Sequence, residues 1–173
     1  MLLPKQVVTY DRLLLDGMST SKIKQMIINL NLFPTPFKKI YYVPTPQERK
    51  ASSIDKPLLV LKRAISAYLG TADFYYSCRT AQEFLGIKWQ PSGEMHVVNL
   101  KLSRRIDLSQ RIDRKNKKSD YRSKRISKIL YLYGTKIIFH RGSVTGAKFK
   151  ETPYGRFALI SQIKKDLKRF REI

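Results

Sequence analysis

The 173-residue chain has one cysteine, Cys78, and only two histidines, His96 and His140. A lone thiol has no partner in the chain, so a disulfide framework is excluded. One cysteine and two histidines also fall short of the four ligands that a structural zinc site usually takes. No metal and no cofactor is therefore expected. Acidic residues are scarce as well, 13 Asp and Glu against 35 Lys and Arg. No apolar run approaches the roughly 18 residues of a membrane span, and no signal-peptide pattern opens the chain. The expected setting is cytoplasmic, without a membrane.

What is abundant is positive charge, a net +22. Excess charge of one sign repels itself unless a polyanion neutralises it, and nucleic acid is the first candidate. The charge is uneven. Residues 51–100 are nearly neutral at +1, whereas residues 101–130 carry twelve basic and three acidic groups, or +9. Hydrophobic residues make up 42% of the chain, enough for a core, so disorder is not expected.

Residues 5–16 have apolar positions at 7, 8, 10, 13, 14 and 15, which suits one or two short helices. Gly17 offers a helix stop, and the hydroxyls of 19–21 offer a fresh N-cap. Ile23, Met26, Ile27 and Leu30 then recur at helical spacing and define one buried face. Ser21, Lys22, Lys24, Gln25 and Asn29 fall largely elsewhere and form a polar outer face. Pro34-Thr35-Pro36 marks a turn, and 37–43 is strand-like, so a β-hairpin with Lys38 and Lys39 near its tip is expected. Helix, turn, helix and hairpin make a winged helix-turn-helix over 1–44. Its second helix would enter the major groove, and its wing would follow the phosphates.

Residues 45–57 are polar, hold Pro46 and Pro57 directly after Pro44, and read as a linker. The remainder, 58–173, reads as a small mixed α+β domain. A helix over 58–69 starts at Pro57 and stops at Gly70. A strand over 73–77 and a short helix over 80–85 come next. Further strands are expected at 95–102, 129–133 and 136–141, the last two joined by a hairpin turn at Gly134-Thr135. Pro153 is expected to open a final helix reaching 171, with a stripe at Phe157, Ile160, Ile163, Leu167 and Phe170.

Residues 18–44, with the wing ending in Lys39-Ile40-Tyr41-Tyr42-Val43-Pro44, resemble the N-terminal winged helix of the AbiE-type (type IV toxin–antitoxin) antitoxins. Residues 75–86 are similar to that family's aromatic strand, Ser, Ala-containing helix and Leu-Gly segment, and Ile137-Ile138-Phe139-His140-Arg141 fits its later hairpin. The basic run over 110–128 and the single basic C-terminal helix depart from the pattern. The resemblance implies a DNA-binding transcriptional autoregulator, with a nucleotidyltransferase-like toxin as partner. Homodimer formation is left open.

The densest basic block runs from Arg104 to Lys128. Within it Arg114, Lys115, Lys117 and Lys118 are assigned to phosphate contact, as an exposed surface or an arm that orders on nucleic acid. Glu94, Asp120 and Lys124 or Lys136 could be assembled into a metal-dependent nuclease site, but their spacing matches no tight pattern. Residues 142–146 are Gly-rich but lack the Gly-Lys-Ser/Thr ending of a phosphate loop and read as a turn. Phe74, Tyr75, Tyr76 and Cys78 are read as core, and His96 and His140 as hydrogen-bonded structural histidines. The expectation is a sequence-specific duplex-DNA binder and not an enzyme. A metal-dependent nuclease and an RNA-binding structural protein are the alternatives.

Overall fold

A computed structural model describes residues 2–172. The elements begin with β1 (Val7–Thr9), α1 (Tyr10–Leu15), α2 (Thr20–Ile28), β2 (Phe33–Pro34) and β3 (Ile40–Tyr42). Then come α3 (Pro46–Ala51), α4 (Pro57–Leu69), β4 (Phe74–Tyr76), α5 (Cys78–Phe84), β5 (Glu94–Asn99) and β6 (Arg104–Asp107). Helices α6 (Ser109–Lys117) and α7 (Tyr121–Tyr131), strands β7 (Lys136–Arg141), β8 (Phe149–Thr152) and β9 (Gly155–Ala158), and helix α8 (Ile160–Arg169) complete the order. The class is mixed α+β. Among the described residues no helix is long and apolar enough to cross a membrane.

The chain forms two compact units, each made of two separate segments. The first joins the residues up to Gly70 to Ser109–Tyr133, and the second joins Thr71–Leu108 to the residues from Gly134 onward. This differs from the expected division at 45–57. That segment is α3, closed by a reciprocal cap. The Thr45 hydroxyl accepts from the Glu48 N–H at 3.1 Å, and the Glu48 carboxylate accepts from the Thr45 N–H at 2.9 Å. Glu48 is buried and also accepts from the Tyr42 hydroxyl at 2.8 Å and the Asp55 N–H at 2.9 Å. Polar composition suggested a linker, but here the polar groups bond one another.

In the first unit the sheet order is β1-β3-β2, all antiparallel, with Val7 opposite Tyr42 and Phe33 opposite the same residue. The expected helix over 5–16 therefore starts only at Tyr10. Val7, Val8 and Thr9 are β-branched and favour the pleated strand. The Thr9 hydroxyl then caps α1 by accepting from the Arg12 N–H at 3.1 Å. Ser19 does the same for α2 through the Lys22 N–H at 3.1 Å. Between the helices Gly17 sits at φ +90°, a conformation that β-carbon sterics make costly for other residues. Leu13, Ile23, Leu32 and Val43 fill the core beneath.

The basic block departs most from expectation. Residues 109–131 are two helices of this first unit, not an arm. Asp120 caps α7 by accepting from the Ser123 N–H at 2.8 Å. Ile126, Ile129 and Leu130 are buried at helical spacing, so 129–133 is the end of a helix and not a strand. Gly134 accordingly follows a helix and makes no hairpin.

The second unit is one six-stranded sheet, β6-β7-β5-β4-β9-β8, with the β5–β7 and β4–β9 pairs parallel and the rest antiparallel. Helices α5 and α8 pack together. Tyr75, Ala81, Val98, Val144, Ala158 and Ile163 form the core. Pro153 does not open the last helix. It lies in the turn of the β8–β9 hairpin, and Phe157 belongs to β9, stacked on Phe84 at 3.9 Å between ring centroids. The final helix spans only Ile160–Arg169.

Candidate nucleic-acid interface

Helix α2 hides Ile23 and exposes its opposite side. Ser21, Lys22, Lys24 and Gln25 are all exposed, as expected. Asn29 is exposed but caps the helix end, where its carbonyl accepts from the Arg49 guanidinium at 3.3 Å. Ile28, 43% exposed, shares the outer face with Ser21 and Gln25, an apolar member that a search for polar residues overlooks. Ser21 and Lys24 border a shallow hollow with Tyr10 and Ile28.

The β2–β3 turn is rigidly made. The Thr35 hydroxyl donates to the Ile40 carbonyl at 2.8 Å and accepts from the Phe37 N–H at 3.2 Å. Phe37 stacks on Tyr68 at 4.4 Å. Lys38 and Lys39 stay exposed at the turn. Lys39 has φ +61°, and its ammonium lies 5.3 Å from the centre of the Tyr10 ring. The Tyr10 N–H donates to the Lys39 carbonyl at 2.8 Å, which ties the turn to the start of α1.

Between this hairpin, the end of α2 and the α6–α7 pair runs a groove of about 400 Å³. Five cations line it: Lys38, Lys39, Arg111, Lys115 and Arg122. Ile27, Phe37, Tyr41 and Ile126 supply apolar and aromatic wall, and no carboxylate lies among the lining residues. Arg111 donates to the Pro36 carbonyl at 3.4 Å and Arg122 to the Ile28 carbonyl at 3.0 Å. Burial pushes the Lys115 ammonium below its ordinary pKa, and neighbouring Lys118 and Arg122 push it the same way. Arg111 is likewise lowered by burial, then by Arg114. Like charges are thus crowded in a half-covered cleft whose lining holds no carboxylate, with Asp120 acting on Lys115 from outside it, a condition that favours an anion.

The groove gathers Lys38, Lys39 and Lys115 but leaves Arg114 and Lys117, exposed on α6, and Lys118, exposed just past its end, outside its lining. Arg111 and Arg122 belong to the groove and were not among the expected contacts. Arg111 stands four residues before Lys115 and shares its face once α6 is known to be a helix, whereas Arg122, on α7, carries no such local signal. Other cations of the block brace the fold. Arg125 donates to the Ser52 hydroxyl at 2.7 Å and to the Arg49 carbonyl, and Lys128 donates to the Ala51 carbonyl at 2.9 Å. These bonds satisfy the carbonyl end of α3, where cations are favoured.

The carboxylates of the nuclease alternative are otherwise engaged. Asp120 caps α7 in the first unit, and Glu94 accepts from the His96 ring at 3.0 Å in the second. The second unit instead assembles Cys78, His96 and His140, whose ligand atoms all lie within 4.8 Å of one another and are all buried. Below them Asp166, fully buried, accepts from the hydroxyls of Tyr75 at 2.8 Å and Ser77 at 2.7 Å and from the Gln162 amide at 3.0 Å. It also pairs with Arg169 at 3.3 Å. Burial pushes the Cys78 thiol up to about 12, so it is no free nucleophile, and burial followed by His96 lowers His140 to about 4. Compared with known protein families, with curated proteins and with solved structures, the chain finds no match.

Proposed function

We propose that the chain is a duplex-DNA-binding transcriptional regulator of the AbiE-antitoxin kind, and that its first unit makes the DNA contact. The single observation that carries this reading is the groove lined by five cations and no carboxylate. In this reading β1 to β3 form a winged helix-turn-helix. Helix α2 presents Ser21, Lys24, Gln25 and Ile28 to base edges, with Lys22 and Asn29 at the margins. The hairpin tip and α6 hold phosphates through Lys38, Lys39, Arg111 and Lys115, with Arg122 at the helix junction. Phosphate contacts fix register and base contacts supply choice. A nucleotidyltransferase-like toxin remains the proposed protein partner, and the chain itself is proposed to perform no covalent chemistry.

The test is binding of the full chain to the DNA upstream of its own reading frame, against a scrambled duplex of equal length. Measurements are made over a range of salt, with and without Mg²⁺. Preferential, metal-independent binding with a steep salt slope is the expected result. Equal binding to both duplexes removes sequence specificity, tighter binding to folded RNA favours the RNA-binding alternative, and Mg²⁺-dependent cleavage favours the nuclease.

A further inference from the structure

The geometry points to a transition-metal site of the zinc class in the second unit, formed by Cys78, His96 and His140 with a fourth position left for a non-protein ligand. The inference is independent of DNA binding, since every ligand belongs to the other unit.

The register of the sheet creates the site. Strands β5 and β7 are parallel with Val98 opposite His140, so His96 and His140 occupy diagonal positions on one face. The rings stack 7° from parallel, and His96 Nδ1 lies 2.9 Å from His140 Nε2. Cys78, the first residue of α5, brings its thiol to the same point. It does so with φ +53°, a left-handed conformation that costs a non-glycine residue about 1 kcal/mol or more. Such strain is retained where surroundings over-determine it.

The tautomers are fixed from outside. The Glu94 carboxylate can only accept, so His96 Nε2 carries the proton and Nδ1 turns its lone pair inward. His140 Nε2 then supplies the single proton between the two rings. A carboxylate on the remote N–H of a ligating imidazole is the usual support of a metal-bound histidine. Tetrahedral zinc, with Zn–N about 2.0–2.1 Å and Zn–S about 2.3 Å, spaces its ligand atoms about 3.3–3.6 Å apart. The observed nitrogens are slightly closer, and all three atoms lie within 4.8 Å, so side-chain shifts on the order of 1 Å suffice. On binding, the thiol proton leaves to water, the bridging imidazole proton moves to Nδ1 of His140, and both nitrogens ligate by lone pairs.

Three protein ligands with one open position is an incomplete set for a purely structural zinc but a complete one for an open site. His96 borders a hollow of about 490 Å³ with Glu94, Arg79 and Glu172, whereas Cys78 and His140 are buried and not part of its lining, so a water that completes the tetrahedron is enclosed with the metal. Asp166 and Glu172 act on the thiol as negative charges, while Arg105 and Arg169 act on His140 as positive ones. Arg169 is itself paired with Asp166, which blunts its opposition.

The experiment uses the full chain without an affinity tag, stripped of metal. Because Cys78, His96 and His140 are the only cysteine and histidines, no other thiolate or imidazole can answer. Titration with Co²⁺ is expected to give one equivalent with a thiolate charge-transfer band and tetrahedral d–d absorption, both displaced by Zn²⁺. His140→Gln should abolish the tetrahedral spectrum, and Glu94→Gln should weaken Zn²⁺ binding by about 10–100-fold. Glu94 is partly exposed, so its variant keeps the test open if His140→Gln fails to fold. Absence of the cobalt spectrum in the wild-type chain, or Zn²⁺ affinity unchanged in Glu94→Gln, would overturn the site and leave a hydrogen-bonded histidine pair.

Discussion

The Arg122 guanidinium donates to the Ile28 carbonyl at 3.0 Å, joining two residues 94 positions apart in sequence. Helix α7 thereby closes the carboxyl end of α2, the helix proposed to read DNA. Arg122→Ala is expected to lower the stability of the first unit by about 0.5–2 kcal/mol, from a lost charged hydrogen bond and a lost cation at a helix C-terminus. It should also flatten the salt slope of DNA binding. Thermal melting and filter binding check the two effects. A full effect on binding with no change in melting would show that the residue serves phosphate alone.

Among the α6 cations, position relative to the groove should decide the effect. Lys115→Gln should lower affinity for any duplex and make the log–log salt slope shallower by about 0.9 unit, as should Lys38→Gln. Lys117→Gln, outside the groove lining, should change the slope by less than half as much. Equal slopes for Lys115→Gln and Lys117→Gln would mean that the groove is not where phosphates sit.

Specificity should reside on α2. Gln25→Ala or Lys24→Ala should reduce preference for the natural upstream duplex by about 1–3 kcal/mol and leave binding to random DNA nearly unchanged. Competition titration with the two duplexes measures this difference. Parallel losses on both would move these residues from base reading to general attraction.

Glu48 should make the first unit acid-labile. Burial alone would raise its carboxyl, but the N–H groups of Thr45 and Asp55 and the Tyr42 and Thr45 hydroxyls together hold it below the ordinary carboxylate value. A carboxyl depressed on folding contributes stability that is complete above its unfolded pKa, about 4.3, and is lost as pH falls through the lower folded value. Glu48→Gln should flatten melting temperature against pH in that acid range. At neutral pH the same variant should melt lower, because Tyr42 loses a charged acceptor. A wild-type profile already flat below pH 5 would contradict this.

Limited trypsin treatment should cut at Lys117 or Lys118 before Arg49 or Lys50. The first pair flanks the exposed turn between α6 and α7, whereas the second lies in a helix closed at both ends. Mass spectrometry of the earliest fragments decides, and early cleavage at Arg49 would restore a linker at 45–57.

Legibility in the sequence followed the range of the interaction. Helix α4 was readable from Pro57 and Gly70, and α2 from its Ser19 hydroxyl and the spacing of Ile23, Met26, Ile27 and Leu30, because those signals are local. Pro153 misled because proline opens turns as readily as helices, and only the pairing of Phe149 with Ala158 separates the two. The end of α7 misled because Ile129, Leu130 and Tyr131 are a short apolar run that suits strand or buried helix alike. Of the groove, the lysines of the hairpin were legible from their turn. Arg111 and Arg122 were not, since nothing local says that residues 109–131 belong with the first 70. The Cys78, His96 and His140 cluster was equally hidden. Its members are far apart in sequence, and only the β5–β7 register makes neighbours of the imidazoles.

The two-segment construction of each unit bears on how the chain is made. Synthesis reaches Gly70 with α2 and the hairpin in place, but the helices that complete their unit end only near Tyr133. At about 5–20 residues per second, the 63 intervening residues take roughly 3–13 s to translate. For most of that interval the Ile28 carbonyl lacks its guanidinium, and Ser52 lacks Arg125. The first half of the other sheet emerges meanwhile without β7 to pair with β5. Neither unit can finish before Tyr133 has been made, so a product stalled ahead of it exposes two unfinished cores at once and is marked for a chaperone or protease.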